Sequence, residues 1–159
     1  DVLIIRKLGV PNQKEFAMGA ISGHTHYLNQ DLINTLNISP DAIQKIIHLE
    51  QAELQRREAL YRANLPPLDV SNKTIILVDD GIATGATVHA AIQTLRIQKP
   101  KQIILAVPVA AASSCSALKP LVDNLICLQK PTDLQAVGQW YEDFSETTDT
   151  EVLNLLYNA

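Results

Sequence analysis

Two adjacent carboxylates, Asp79 and Asp80, stand at the end of a short apolar run, Thr74-Ile75-Ile76-Leu77-Val78. Gly81, Ile82, Ala83, Thr84, Gly85, Ala86 and Thr87 follow, and a helical pattern begins at Val88. The run is apolar and mostly β-branched, so it reads as a buried strand. A strand that feeds a small-residue turn at a helix start makes an anion cradle. Unpaired backbone N–H groups and the helix dipole both favour negative charge there. Gly81 and Gly85 permit positive φ and a close backbone approach, and the Thr84 and Thr87 hydroxyls add donors. Two acids, however, would repel a bare phosphate. They suit a ligand that also carries neutral hydroxyls able to donate to them. A sugar phosphate meets both demands, with its phosphate in the turn from Ile82 to Thr87 and its ribose diol on Asp79 and Asp80.

Other nucleotide motifs fit poorly. A P-loop needs Gly-x-x-x-x-Gly-Lys-Ser/Thr, whereas Gly81 and Gly85 lie one residue too close and Ala86 stands where the Lys belongs. A dinucleotide fingerprint has three glycines, and its acid comes one strand later rather than before the turn. An ordinary strand–turn–helix whose acids cap the helix would leave so many matching positions unexplained.

The rest of the chain must supply a frame that holds this turn. Residues 2–5 are apolar and predict a strand ending at Arg6-Lys7; residues 8–15 have loop composition. Residues 16–21 and 27–33 are candidate strands, weakened by Gly19 and Gly23. Ser39-Pro40-Asp41 predicts a helix start, running to about Asn64 and stopped by Pro66-Pro67. Ile43, Ile46, Ile47, Leu54 and Leu60 give it an apolar face, with Glu53/Arg57 and Glu58/Arg62 as i,i+4 pairs. After the acid-bearing strand come a helix at 88–97, a strand at 102–109, a helix at 113–121 and a strand at 124–128. A polar segment holding Pro131, Gly138, Trp140 and Tyr141 leads to a closing helix at 150–157. This alternation predicts a single α/β domain over 1–159, a mostly parallel sheet flanked by helices on both faces. In such sheets ligands bind beyond the carboxyl ends of the strands, where Asp79 and Asp80 fall.

Composition narrows the function classes. At 159 residues, with 47% apolar residues and a net charge of −4, the chain has the balance of a globular domain without a basic footprint for nucleic acid. No apolar run approaches the roughly 20 residues that cross a bilayer, and nothing resembles a signal peptide. A cytoplasmic protein without a membrane partner is expected. Cys115 and Cys127 lack CxxC or Cys/His spacing and are expected as buried thiols. His24 and His26 would share a strand face, but no third ligand follows, so loop histidines are the better reading than a metal site. Arg56, Arg57 and Arg62 read as a solvated helix face rather than a phosphate patch. Ser113-Ser114-Cys115-Ser116 lacks the context of a nucleophile elbow.

The segment from Thr74 to Thr87 resembles the signature by which type I phosphoribosyltransferases bind phosphoribosyl pyrophosphate. More loosely, Arg6-Lys7-Leu8-Gly9-Val10-Pro11, Tyr61-Arg62, Ala136-Val137-Gly138 and Asp143-Phe144 resemble a bacterial group of these enzymes with undefined substrate. The resemblance implies displacement of pyrophosphate from C1′ by a nitrogen nucleophile of a small-molecule base. Asp79 and Asp80 would then stabilise an oxocarbenium-like transition state. It implies Lys7, with Arg6 second, at the pyrophosphate, and the loop that follows, Lys14 included, as a lid. A C-terminal hood would stack Trp140 or Tyr141 on the base; plain core packing of Trp140 and Phe144 is the open alternative. Mg²⁺ would bridge pyrophosphate and ribose oxygens with mostly water ligands and no direct protein cage, and a homodimer is expected. Hypoxanthine-guanine enzymes usually carry Asp where Ala83 stands and Lys where Ala86 stands. Those departures argue against such bases and leave no evident general base. The family's N-terminal strand, pyrophosphate loop and helix are not found before Asp1, so either upstream sequence is missing or the loop was lost. The rival readings are a non-catalytic regulator that senses phosphoribosyl pyrophosphate or a nucleotide, and a generic phosphate-binding domain using Asp79 and Asp80 as metal ligands. No basic recognition helix supports a regulator that itself binds DNA.

Overall fold

The computed structural model describes residues 1–158 apart from His24 and Asn64, and the side chains of Lys14 and Glu15 are also outside the description. The loop histidine expected at 24, the lid lysine at 14 and the helix end at 64 therefore lie outside the described residues.

The first three strands, β1 (Arg6–Val10), β2 (Gln13–Ser22) and β3 (Thr25–Leu28), form an antiparallel sheet in the order β1-β2-β3. This corrects the reading of the first fifteen residues. The strand expected at 2–5 is displaced to Arg6–Val10, so Arg6 and Lys7 open it rather than close it. The expected loop is a hairpin in which Val10 pairs with Gln13 around Pro11-Asn12, with Asn12 at φ 65. Asparagine tolerates the left-handed region that so tight a turn requires. Leu8 and Val10 alternate inward and are buried, which makes this stretch a strand. β3 also stops short of the expected range: Asn29 accepts the Leu32 amide at 3.1 Å and caps α1 (Gln30–Thr35).

α2 (Pro40–Arg62) follows the sequence expectation, with Ser39 Oγ accepting the Ala42 amide at 3.3 Å. Its Ile43, Leu54 and Tyr61 enter a core shared with Leu8, Met18 and Ile21 of the first sheet. Glu53 holds both Arg56 and Arg57, whereas Arg62 pairs with Asp1 instead of Glu58. α5 (Asp149–Tyr157) starts at a Thr148/Glu151 capping box and closes this core, the Tyr157 hydroxyl donating to the Tyr61 carbonyl at 3.0 Å.

The second half is the predicted parallel sheet. β4 (Thr74–Val78), β5 (Gln102–Val109) and β6 (Asn124–Gln129) lie in sequence order, joined by α3 (Ala86–Ile97) and α4 (Ala112–Leu118). Ile103, Leu105 and Val107 of the middle strand pack under Val88, Ile92 and Leu95 of α3 and Leu118 of α4. The helices cover one face only. Ile76 and Val78 of β4 are 64% and 69% exposed and Leu128 of β6 is 75% exposed, so the expectation of a sheet covered on both faces holds for half of it. α4 ends earlier than expected because Pro120 sits in a 3-10 turn, Lys119–Leu121. Cys115 and Cys127 are free thiols on this core.

α3 joins the two halves. One side packs on the parallel sheet, and the other meets β2 and β3. There the hydroxyls of Thr94 and Thr25 lie 2.5 Å apart, and His89 stacks on Tyr27 with centroids 3.7 Å apart. This sandwich sets the first sheet beside the N-terminus of α3, and thus beside the carboxyl end of β4.

Candidate functional site

β4 ends at Val78, and the chain then bends away from the sheet. Ile82 makes one last parallel bridge: its amide donates to the Val109 carbonyl at 3.0 Å, and its carbonyl accepts from the Ala111 amide at 2.8 Å. The Ala83 carbonyl accepts from Ser114 Oγ at 2.5 Å. Gly85, at φ 79, occupies the left-handed region and becomes the N-cap of α3, whose first bond runs from the His89 amide to the Gly85 carbonyl at 2.8 Å. This early cap is why the helix begins at Ala86 rather than Val88. The backbone amides of Ala83, Thr84, Gly85, Ala86, Thr87 and Val88 donate to no group among the described residues. Carbonyls tied to the protein and amides left free make an anion-binding turn at the positive end of a twelve-residue helix.

The two acids differ in environment. Asp79 is half-buried and accepts the Asp80 amide on Oδ1 at 3.0 Å; Asp80 is exposed. Burial first, and the Asp80 charge second, push the Asp79 carboxyl up to about 6, with the Asp80 amide and the Lys7 ammonium opposing. Lys7 reaches this neighbourhood from β1. It lines a cavity of 1010 Å³ with Lys45, Glu50, Thr87 and Glu146, and Thr87 also borders the groove that contains Asp79. Lys7, Asp79 and the anion turn are therefore brought together. Arg6 lines the same cavity, with its guanidinium held by Glu50 of α2 at 2.7 Å. The hairpin that replaces the expected lid is paired along β1 and β2.

The C-terminal segment covers the acids. A 3-10 turn, Val137–Trp140, sets Val137 directly over Gly81, where an added Cβ would lie 2.5 Å from Val137 Cγ1. Of the two freedoms open to Gly81, a positive φ is not used and a close approach is: its missing side chain makes room for Val137. The Tyr141 hydroxyl donates to the Asp80 carbonyl at 2.6 Å, and its ring lies 5.2 Å from that of Phe144. Burial, then the charges of Asp80 and Asp79, raise the Tyr141 phenol. Trp140 and Phe144 are 46% and 49% exposed, so neither is a buried core residue, and Phe144 packs against Gly138 of the same segment.

Ser114, Val137 and Glu50 were not foreseen. Ser114 stands 31 residues from the carbonyl it binds, and no local pattern links the two. No cluster of three or more His, Cys, Asp or Glu suited to a metal exists among the described residues.

The model of the phosphoribosyl transferase domain matches residues 13–142. A protein of Mycobacterium tuberculosis (strain H37Rv) provisionally named a phosphoribosyl transferase is 37% identical over 160 residues, covering all of this chain and 36% of its own length. The chain thus spans about a third of the length of the curated relatives it matches in full. The bifunctional protein PyrR of Bacillus cereus (strain B4264) is 43% identical over 56 residues, 35% of this chain and 31% of its own. The crystal structure of TT1426 from Thermus thermophilus superposes with a TM-score of 0.77 at 32% identity, covering 99% of this chain and 75% of that one. The matched span runs from the first hairpin to the hood and includes the acid pair and the free amides: the chain belongs to the phosphoribosyl transferase family.

Proposed function

We propose that the protein binds phosphoribosyl pyrophosphate and transfers its phosphoribosyl group to a nitrogenous base or a related small acceptor. The observation that carries this reading is the run of unpartnered amides from Ala83 to Val88 immediately behind an acid pair. The amides and the α3 dipole hold the 5′-phosphate. The carboxylates of Asp79 and Asp80 accept from the ribose diol and counter the positive charge that develops at C1′ as pyrophosphate leaves. Lys7 neutralises the departing pyrophosphate. Mg²⁺, when bound, would screen the pyrophosphate charge. The half-exposed Trp140, next in sequence to the Tyr141 that binds the Asp80 carbonyl, offers a stacking surface for the base. The chain's membership of the phosphoribosyl transferase family supports a small-molecule substrate.

Calorimetric titration of phosphoribosyl pyrophosphate with Mg²⁺, followed by a screen of bases for pyrophosphate release, tests it. Binding with turnover of one base supports the transferase. Absence of binding to a folded protein sinks the reading. Binding without turnover of any base favours a second reading, a non-catalytic sensor. That reading draws support from the likeness to a bifunctional protein over 56 residues and from Ala83, which puts no proton acceptor in the turn.

A further inference from the structure

We propose that Ser114 is a positioning residue for the anion turn: by holding the Ala83 carbonyl from behind, it turns the Thr84 amide toward the ligand. The inference rests on the sugar-phosphate reading of that turn and adds a residue to it. Ser114 is 8% exposed and belongs to α4; its hydroxyl donates to the Ala83 carbonyl at 2.5 Å. Ser22 is the other buried polar residue among those described, and its hydroxyl binds the Ile4 carbonyl in the first sheet.

Peptide geometry couples each carbonyl of the turn to the next amide. In a trans peptide the carbonyl of one residue and the amide of the next lie in one plane and point in opposite directions, and no cis bond is present among the described residues. Fixing the Ala83 carbonyl toward α4 therefore fixes the Thr84 amide away from α4. The preceding plane is fixed in the same way, since the Ala111 amide holds the Ile82 carbonyl at 2.8 Å and so orients the Ala83 amide. An anion site fails if one carbonyl rotates inward, because an acceptor then replaces a donor at the phosphate. Gly85, with its left-handed backbone, gives this turn little stiffness of its own. The first plane is secured by main chain and would survive most substitutions. The second depends on a single side chain.

Ribose 5-phosphate is the probe, titrated by calorimetry into the parent protein and its Ser114→Ala, Ser114→Thr and Ser114→Cys variants. Amide NMR of Thr84 and the thermal midpoint are followed alongside. Loss of one preorganised donor should weaken ribose 5-phosphate about tenfold or more in Ser114→Ala. The Thr84 amide resonance should move while the thermal midpoint moves little. Ser114→Thr, which keeps the hydroxyl, should restore affinity and resonance. Ser114→Cys keeps the volume but donates weakly; an intermediate loss supports the hydrogen bond, and it carries the test if the alanine variant does not fold. Ser114→Ala or Ser114→Cys binding as tightly as the parent overturns the role of Ser114 and leaves the sugar-phosphate site standing. A loss that Thr does not rescue overturns it as well, since packing then accounts for the effect. A parent that does not bind ribose 5-phosphate overturns the sugar-phosphate reading, and this inference with it.

Discussion

The molecule has two three-stranded sheets, each with its own core, and both contribute to one site by different means. The parallel half delivers its groups through consecutive residues. Asp79, Asp80 and the free amides follow one another along the chain, and the β5–α4 corner ties their carbonyls in place. The antiparallel half delivers Lys7 from a hairpin strand, remote in sequence from the acids, with its position set by α3 packed between the sheets. The groups that need fixed geometry lie on consecutive residues, braced by one corner of the parallel sheet. A point charge, which acts through distance alone, is supplied from afar. Lys7 suits that role because its ammonium is a compact charge on a flexible stem.

Substitutions on either side of this divide should separate the two contributions. The largest effect is expected from Asp79→Asn/Asp80→Asn, which removes the carboxylates that accept the diol. Affinity for ribose 5-phosphate should fall on the order of 100-fold or more by calorimetry, given the strength of charge-assisted hydrogen bonds. Unchanged affinity would remove the diol from the site. Gly85→Ala comes next. Its φ of 79 disfavours any side chain, and the methyl would stand 3.3 Å from Leu118 Cδ1. A stability loss of roughly 1–2 kcal/mol in denaturant unfolding is expected, together with weaker phosphate binding.

Lys7→Met probes the other half alone. Phosphoribosyl pyrophosphate should bind about tenfold more weakly, the scale of one charge-assisted contact, while ribose 5-phosphate binds as before. Equal loss for both ligands would mean that Lys7 acts on the turn and that the division drawn here is wrong.

The pH response of Asp79 reports the same contact more gently. Its folded-state pKa is raised to about 6, above the usual aspartate value near 3.9. The folded protein therefore holds a proton that the unfolded chain has released. The stability this group contributes is complete below about pH 4 and is lost as pH rises through about 6. Carboxyl-carbon NMR should find the midpoint there, and Lys7→Met should move it upward. A midpoint at the ordinary aspartate value would put Asp79 in solvent. The smallest effect is expected at Arg6. Its ion pair with Glu50 is partly exposed, with both side chains at 28%, so Arg6→Ala should cost about 1 kcal/mol or less and leave both ligands' affinities unchanged. A large loss of pyrophosphate affinity would give Arg6 a share in pyrophosphate binding.

The same divide governs what could be read from the sequence. In the parallel half, strand limits at Thr74 and Gln102, the acid pair and the turn were legible because each signal lies within about fifteen residues. What the sequence could not show there is the partner of Gly81, whose bare Cα answers to Val137 rather than to its own φ. In the antiparallel half, Gly9, Pro11 and Asn12 carry the composition of a loop, and only the partner strand shows that Pro11 and Asn12 alone make the turn. Arg6 and Lys7 were legible as a pair but not in their division of labour. Adjacent residues of a strand face opposite ways, and Glu50, which claims Arg6, comes from a helix 44 residues away.

The hood has one further consequence. Trp140 is the only tryptophan of the chain; it is 46% exposed and sits in the segment that Val137 and Tyr141 fasten to Gly81 and Asp80. Its fluorescence is therefore a single-site optical signal of this corner. A ligand that displaces solvent from the indole should change emission wavelength and accessibility to an aqueous quencher without any label. Rates of arrival and departure at the acids could then be followed by stopped flow on the unmodified protein.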